Sequence, residues 1–528
     1  MYTVEEKESS TALAGFRLSP QQRQIWRQQP AAIAYGAQCS IRLTGRLDTE
    51  ALRTAIAGVV DQYEILRTSF QRQPGMRTPV QVICKQPALS WHESDLINHD
   101  ADSQQRQIVV ACEADQRERV RERDSSGAVL RVSVLRFAAE DHVVVLTLPR
   151  LCADHTSLSL LISEIARAYD ECLSGEIEPG ESLQYADFCE WQNELAESDD
   201  AEAGRAFWLN QQAVSTPVRL PFETEGVSTT ARERLSFTFA PEISSGLIRL
   251  ADDHGLSRQT VLLTCWQVLL RRLCGQESFY INCLFEGRNY DELNSAIGLF
   301  ARSLPLFCRL HDEQTLVSLG HEIEDRCSQM SEWQEYYGGE AEAQTDQISF
   351  EYFERVSHRV TVGGLKWRVL DQQSDLQQAK LGLRCERIDE SEVKGEISYD
   401  SQVYLRSDIE WLIERLQTIV KSVIKDVTQN VAEVAIVSER EWKYLVKELA
   451  QTGEQDVLVE EDQSIVSLFE ATVQRHASRV AIVCAQEELT YGDLNRRANQ
   501  LARFLRARGV GPDVNVALFV ERKINAFV

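Results

Sequence analysis

A buried strand followed by a short loop and an amphipathic helix most constrains the fold of this chain. The run 142–148 is mostly apolar, which is typical of a buried strand. Apolar residues then recur at the spacing of one face of a helix that ends near Gly175: Leu158, Leu161, Ile162, Ile165 and Tyr169. The seven residues Pro149 to His155 lie between them. The pattern predicts a mixed α/β region in which the loop can present side chains for chemistry.

The same mixture of patterns extends along the chain. Residues 37–43 and 129–135 indicate strands, and residues 52–65 indicate a helix. A polar connector at 220–226 lies within the second half, and an acidic connector with a single glycine spans 451–463. Periodicity alone predicts only a mixed α/β fold, and the acidic connector is typical of a linker between domains.

Charge excludes one class of function. The chain carries 81 acidic and 56 basic residues, a formal net charge of -25. Binding of nucleic acid needs concentrated Lys and Arg, whereas the arginine-rich run 117–124 is mixed in sign and is typical of a solvated helix face. We predict no nucleic-acid partner.

Three further features bear on location and on metals. No run of about 18 apolar residues exists and the N-terminus lacks a signal pattern, so we expect a cytoplasmic protein without a membrane partner. The 13 cysteines include no C-x-x-C pair, which fits reduced thiols. The nine histidines are dispersed, so we expect neither a metal site nor a cofactor bound by the chain itself.

Five segments, in order, carry a resemblance to a known family. Four are Leu18–Trp26, Gln62–Phe70, Tyr185–Gln192, and Gly287-Arg288 with Ile297–Pro305; the fifth is the loop Pro149–His155. Together they resemble the condensation domains of non-ribosomal peptide synthetases, in the chloramphenicol acetyltransferase-like superfamily. The family's loop reads His-His-x-x-x-Asp-Gly. Here Pro149 and Arg150 stand at the two histidines, Asp154 at the aspartate and His155 at the glycine.

The resemblance implies a fold and a set of partners. The expected fold is α/β, with two acetyltransferase-like lobes forming a V around a central tunnel, an N-lobe at 1–180 and a C-lobe at 181–445. Family members receive substrates on 4'-phosphopantetheine arms of peptidyl or acyl carrier proteins, which enter from opposite faces. The expected partners are therefore carrier proteins and the rest of a synthetase, including its adenylation domain.

Three interpretations of the function follow from Arg150 at the position of the second histidine. In the family the second histidine positions or deprotonates the attacking amine, and a guanidinium with a pKa above about 12 cannot act as that base. The first interpretation is a domain that has lost peptide-bond formation and serves as scaffold, gate or docking surface. The second is a divergent enzyme in which Arg150 holds an oxyanion or carboxylate. The third is a platform that recruits a tailoring enzyme in trans.

The other residues of the loop have simpler predicted roles. His155 is a candidate displaced base, but the preferred interpretation is a surface or helix-start histidine that narrows the tunnel mouth. Cys152 between Leu151 and Ala153 is typical of a core residue rather than a nucleophile. The resemblance implies that Asp154 forms a buried ion pair with Arg288 and fixes the loop, while Arg150 is expected to reach tunnel water.

A second resemblance begins after a linker at 446–463. Residues 464–528, including Leu489–Leu494, resemble the start of an adenylation domain, whose phosphate loop and catalytic lysine would follow Val528. This segment alone is not expected to activate an amino acid. About 17 residues precede the first motif, so we expect the chain to begin a subunit. A donor from another subunit and a starter-module pseudo-condensation domain both remain open.

Two downstream motifs of the family are weaker. Gln334-Glu335-Tyr336-Tyr337 stands where a His-Gln-x-x-Pro-Phe segment is expected, and a later Arg-x-x-x-Arg-Asn-Pro-like element is not recognisable. The run 347–352 is predicted to be the strand before the family's inter-lobe floor loop.

Overall fold

A computed structural model gives the architecture of the chain. It describes residues 15–28, 36–71, 78–85, 89–121, 129–175, 182–199, 201–211, 217–224, 232–338, 348–354, 359–374, 376, 379–388, 392–449, 464–484, 487–511, 514–520 and 528. The chain forms two compact units, residues 1–438 and 439–528.

The first half of the large unit is built around a six-stranded sheet. Its elements are α1 Pro20–Gln28, β1 Ala37–Thr44, α2 Thr49–Gln62, β2 Thr68–Gln71, β3 Val80–Ile83, β4 Ser90–Asp95, α3 Ala101–Arg121, β5 Arg131–Ala138, β6 Asp141–Leu148, α4 His155–Ser174, α5 Tyr185–Glu197 and α6 Ala201–Asn210. The run 117–124 begins in α3, but its side chains from 117 on lie outside the described residues.

The second half repeats this plan around its own six-stranded sheet. Its elements are β7 Arg232–Thr238, α7 Pro241–His254, α8 Arg258–Cys274, β8 Ser278–Phe285, β9 Arg302–Arg309, α9 Leu316–Glu332, β10 Ile348–Glu354, β11 Arg359–Val362, β12 Leu365–Gln373, β13 Leu381–Arg387, β14 Val393–Asp400 and α10 Arg406–Lys425. The strand predicted at 347–352 is β10.

The first sheet includes two strands from the second half of the sequence. The first has the order β11-β12-β1-β6-β5-β4 and the second β7-β14-β13-β10-β8-β9. The hairpin β11-β12 comes from the second half of the sequence, yet β12 pairs with β1 in antiparallel fashion. Backbone hydrogen bonds therefore join the two halves.

The predicted strand, loop and helix are present. β6 is buried along seven of its eight residues, and α4 buries the apolar stripe that begins at Leu158. Gly175 ends α4 in the left-handed conformation, with φ 77° and its amide bonded to the Glu171 carbonyl. Local periodicity was sufficient here because a buried strand and an amphipathic helix carry different repeats.

The small unit is described by itself. It contains α11 Glu439–Lys443, a π-helical turn Tyr444–Leu449, α12 Ile465–His476, the hairpin β15 Val480–Cys484 and β16 Glu487–Thr490, and α13 Tyr491–Ala507. Leu489 and Leu494 form its small core. The acidic connector 451–463 lies outside the described residues.

Candidate functional site

Asp154 is the anchor of the seven-residue loop. Its side chain is 1% exposed and caps α4 by accepting from the Ser157 amide at 2.7 Å. The other carboxylate oxygen accepts from the backbone amides of Phe300 and Ala301 at 2.9 and 3.0 Å. Phe300 and Ala301 immediately precede β9, so one carboxylate joins the first helix after the loop to the second sheet.

Arg288 completes the anchor as the sequence predicted. Its Nη2 lies 3.4 Å from Asp154 Oδ1, and the two side chains are 4% and 1% exposed. The same nitrogen donates to Ser157 Oγ at 2.8 Å. The Ser157 hydroxyl donates to the Gly298 carbonyl and accepts from the Gly298 amide. Sequence reasoning did not identify Ser157, because its partners are more than 130 residues away.

Residues from the other motifs converge on this anchor. The Tyr185 hydroxyl donates to the Leu299 carbonyl at 2.7 Å and lies 3.0 Å from Ser19 Oγ; burial raises the pKa of this phenol well above its ordinary value. A Cβ on Gly298 would fall 2.1 Å from the Tyr185 ring. On Gly287, at φ 69°, it would fall 2.0 Å from the Phe300 carbonyl oxygen. The motif residues are thus mainly architectural.

Arg150 does not occupy the position that the sequence predicted. It was expected to reach water, but it is 3% exposed, and Pro149 beside it is also buried. The loop turns tightly here, with the Cys152 amide donating to the Pro149 carbonyl at 2.9 Å, and Cys152 is fully buried, as expected of a core residue. The turn at the end of β6 directs this part of the loop into the protein interior.

His155 begins α4 as predicted but is not a surface residue. It is 5% exposed, and its ring lies 4.0 Å from the ring of Phe353 on β10. Arg384 on β13 places Nη2 3.0 Å from His155 Nδ1. Because a guanidinium can only donate, Nδ1 is the acceptor. The Gln372 side chain on β12 donates to the His155 carbonyl at 2.5 Å. Two strands of the second sheet therefore contact the imidazole, and β12 of the first sheet binds the backbone of the same residue.

A second buried ion pair was missed in the sequence. Arg302 Nη2 lies 2.5 Å from Glu335 Oε2, and both side chains are 4% exposed. Gln192 on α5 donates to the same oxygen at 2.6 Å, and Arg302 donates to the Gln334 carbonyl at 2.8 Å. Glu335 stands in the replaced His-Gln-x-x-Pro-Phe segment. The sequence signal for this ion pair was the carboxylate of Glu335 in that segment together with an arginine at the start of β9.

This ion pair lies at a cavity of about 300 Å³. The cavity is also lined by Gln21, Arg23 and Trp208. Burial lowers the pKa of the Arg23 guanidinium, and the charges of Arg27 and Arg17 act in the same direction. None of the loop residues 149–155 lines this cavity. A molecule held there would meet Arg302 and Glu335 rather than Arg150.

The described residues contain neither a metal-binding cluster nor a membrane-spanning helix. No group of three or more His, Cys, Asp or Glu side chains within the described ranges could hold a metal ion. In the same part of the chain, no helix combines the length and apolar character needed to span a bilayer.

Comparison with known proteins gives the family. Residues 15–446 match the condensation domain, and residues 469–528 match the AMP-binding enzyme family. The chain therefore belongs to the condensation-domain family and continues into the start of an AMP-binding domain. Gramicidin S synthase 2 of Brevibacillus brevis is 27% identical over 94% of the chain, which spans 11% of that relative. Bacitracin synthase 3 of Bacillus licheniformis is 26% identical over 98% of the chain, which spans 8% of it.

Solved structures confirm the α/β fold. The condensation domain of the monacolin K polyketide synthase MokA has a TM-score of 0.69 at 18% identity, covering 80% of this chain and 99% of that one. The X-domain solved in complex with OxyB from teicoplanin biosynthesis has a TM-score of 0.65 at 18% identity, with coverages of 83% and 98%. The predicted fold class and the two resemblances are confirmed.

Proposed function

We propose that this chain is a condensation-like segment of a non-ribosomal peptide synthetase subunit that does not form peptide bonds. It serves as a scaffold, gate or docking surface for the domains and carrier proteins around it. The observation that carries the proposal is the burial of Arg150, 3% exposed where the family has a catalytic histidine. The cytoplasmic location stays a prediction from the sequence.

The chemistry of the loop supports this proposal. Amide formation on carrier-bound substrates needs a group that exchanges a proton near neutral pH beside the amine. Arg150 keeps its proton, and Pro149 has no titratable group. His155 Nδ1 accepts from Arg384 at 3.0 Å, so protonating this nitrogen would remove the acceptor and place a second cation against the guanidinium. Such a histidine is a poor substitute for the missing base.

Packing supports it as well. His155 contacts the Phe353 ring, with ring centroids 4.0 Å apart, and Arg384, at 3.0 Å, where the family has a glycine without a side chain. A buried imidazole therefore follows Asp154 at a position where the family leaves space.

A condensation assay tests the proposal. The subunit is given an acyl group on a donor carrier protein and an amino acid on an acceptor carrier protein, with an active condensation domain as positive control. We expect no amide above the rate of the carriers alone, for the natural chain and for Arg150→Ala. Amide formed by the natural chain and abolished in Arg150→Ala would instead establish the divergent enzyme in which Arg150 stabilises charge.

One comparison favours a second candidate function. The X-domain of similar fold was solved in complex with OxyB, so a domain of this shape can bind another protein. By analogy this chain would recruit a tailoring enzyme to a carrier-bound substrate. Co-sedimentation of the chain with the oxidases or other modifying enzymes of its own biosynthetic cluster would support this candidate, and no complex at micromolar concentrations would exclude it.

A further inference from the structure

Two aromatic side chains lie together on the surface of the large unit. Trp191 on α5 is 37% exposed and Tyr290, after β8, is 45% exposed. Their ring centroids are 5.4 Å apart at an interplanar angle of 85°. Large aromatic residues of this kind often dominate the binding energy of protein interfaces. The pair therefore offers a specific contact to a partner.

Buried aromatic rings support the Trp191–Tyr290 pair. Trp191 packs on Phe188 with centroids 5.6 Å apart, and Phe188 packs on Phe300 at 4.7 Å. The backbone amide of Phe300 donates in turn to the Asp154 carboxylate, which fixes its position. A surface group supported by a buried aromatic stack loses little conformational entropy on binding.

Carboxylates surround the pair. On α5, Asp187 and Glu194 lie four residues before and three residues after Trp191, so they share its helix face. Asp291 and Glu292 directly follow Tyr290. All four are exposed, and none forms an ion pair with another residue in the described ranges. The aromatic surface is therefore negatively charged.

We propose that Trp191 and Tyr290 form a docking surface for a partner protein that presents arginine or lysine side chains. A cation over the ring faces gains cation–π attraction, and the surrounding carboxylates neutralise its neighbours. Acidic partners and nucleic acid are repelled by the same charges. A second copy of this chain is disfavoured because each copy carries a net charge of -25. The proposal is independent of whether the loop catalyses.

Defined peptides test this surface. The probes are fluorescent helical peptides of identical length that carry a stripe of Arg, Lys, Gln or Glu, and binding is followed by fluorescence anisotropy. We expect the Arg peptide to bind about fivefold or more tighter than the Gln peptide, the Glu peptide to bind least, and added salt to weaken binding. Trp191→Ala should remove the preference for Arg.

Two further variants separate docking from folding. Asp187→Asn with Glu194→Gln removes charge from exposed positions and should weaken the Arg peptide even if Trp191→Ala is unstable. Trp442→Ala is the matched control, because Trp442 is 62% exposed in the other compact unit among side chains of both signs, and it should leave binding unchanged. Equal affinity for the Arg and Gln peptides, or a preference that survives both the Trp191 and the charge variants, would overturn the proposal. So would self-association that depends on Trp191.

Discussion

The two parts of the seven-residue loop differ in what they contact. Asp154 bonds to three backbone amides and to Arg288, and so joins α4 to the second sheet. Arg150, which the resemblance aligns with a catalytic histidine of the family, is buried in the interior. One part retains the family's residue and its partner, whereas the other retains neither histidine.

The difference shows which residues of the loop the fold requires for stability and which it can replace. Replacing Asp154 would leave buried amides and a buried guanidinium without an acceptor, which costs stability directly. A catalytic histidine contacts substrate, so its replacement costs activity rather than folding. The proposed function explains the loop of this chain in these terms: the structural requirement at Asp154 persists, and the catalytic requirement at position 150 does not.

The sharpest test of this comparison is the substitution Asp154→Ala. Removing one partner of a buried, hydrogen-bonded ion pair typically costs roughly 3 to 5 kcal/mol, and we expect the largest fall in unfolding free energy here. The matched control is Glu410→Ala, which breaks a pair with Arg406 of 3.3 Å whose side chains are 61% and 64% exposed. That change should cost about 1 kcal/mol or less.

Chemical denaturation of both variants gives the comparison. Equal losses would mean that Asp154 is not the anchor of the loop. Arg150→Ala is a poor reference, since its side chain is 3% exposed and truncation would leave a cavity with its own cost.

A smaller effect is expected at the second buried pair. Glu335→Ala leaves the Arg302 guanidinium buried without its carboxylate and should cost about 3 kcal/mol. Replacing both partners, Arg302→Met with Glu335→Leu, should recover most of that loss, because apolar side chains carry no desolvation penalty. Thermal unfolding of the single and double variants measures the recovery. A double variant as unstable as the single one would show that the polar network itself is required.

The anchor of the loop could be predicted from the sequence, whereas its burial by distant strands could not. Asp154 and Arg288 were predictable because each lies in a short motif whose spacing is preserved. The contacts of His155 with Phe353 and Arg384 were not, since both partners lie on strands about 200 residues away. The pairing of β12 with β1 was hidden for the same reason. Burial of Arg150 could not be predicted because a polar side chain near a tunnel is ordinarily assumed to face water.

The account rests on the loop being buried and inaccessible to small molecules. The thiol of Cys152 reports on this. Cys152 is fully buried within the loop, as is Cys265 in α8, whereas Cys84 is partly exposed. Native protein is treated with iodoacetamide, and alkylation of each cysteine is followed by peptide mass spectrometry. We predict that Cys152 reacts as slowly as Cys265 and only as fast as the protein unfolds, while Cys84 reacts sooner. Alkylation of Cys152 at the rate of Cys84 in the folded protein would show that the loop is open to small molecules, and would contradict the account.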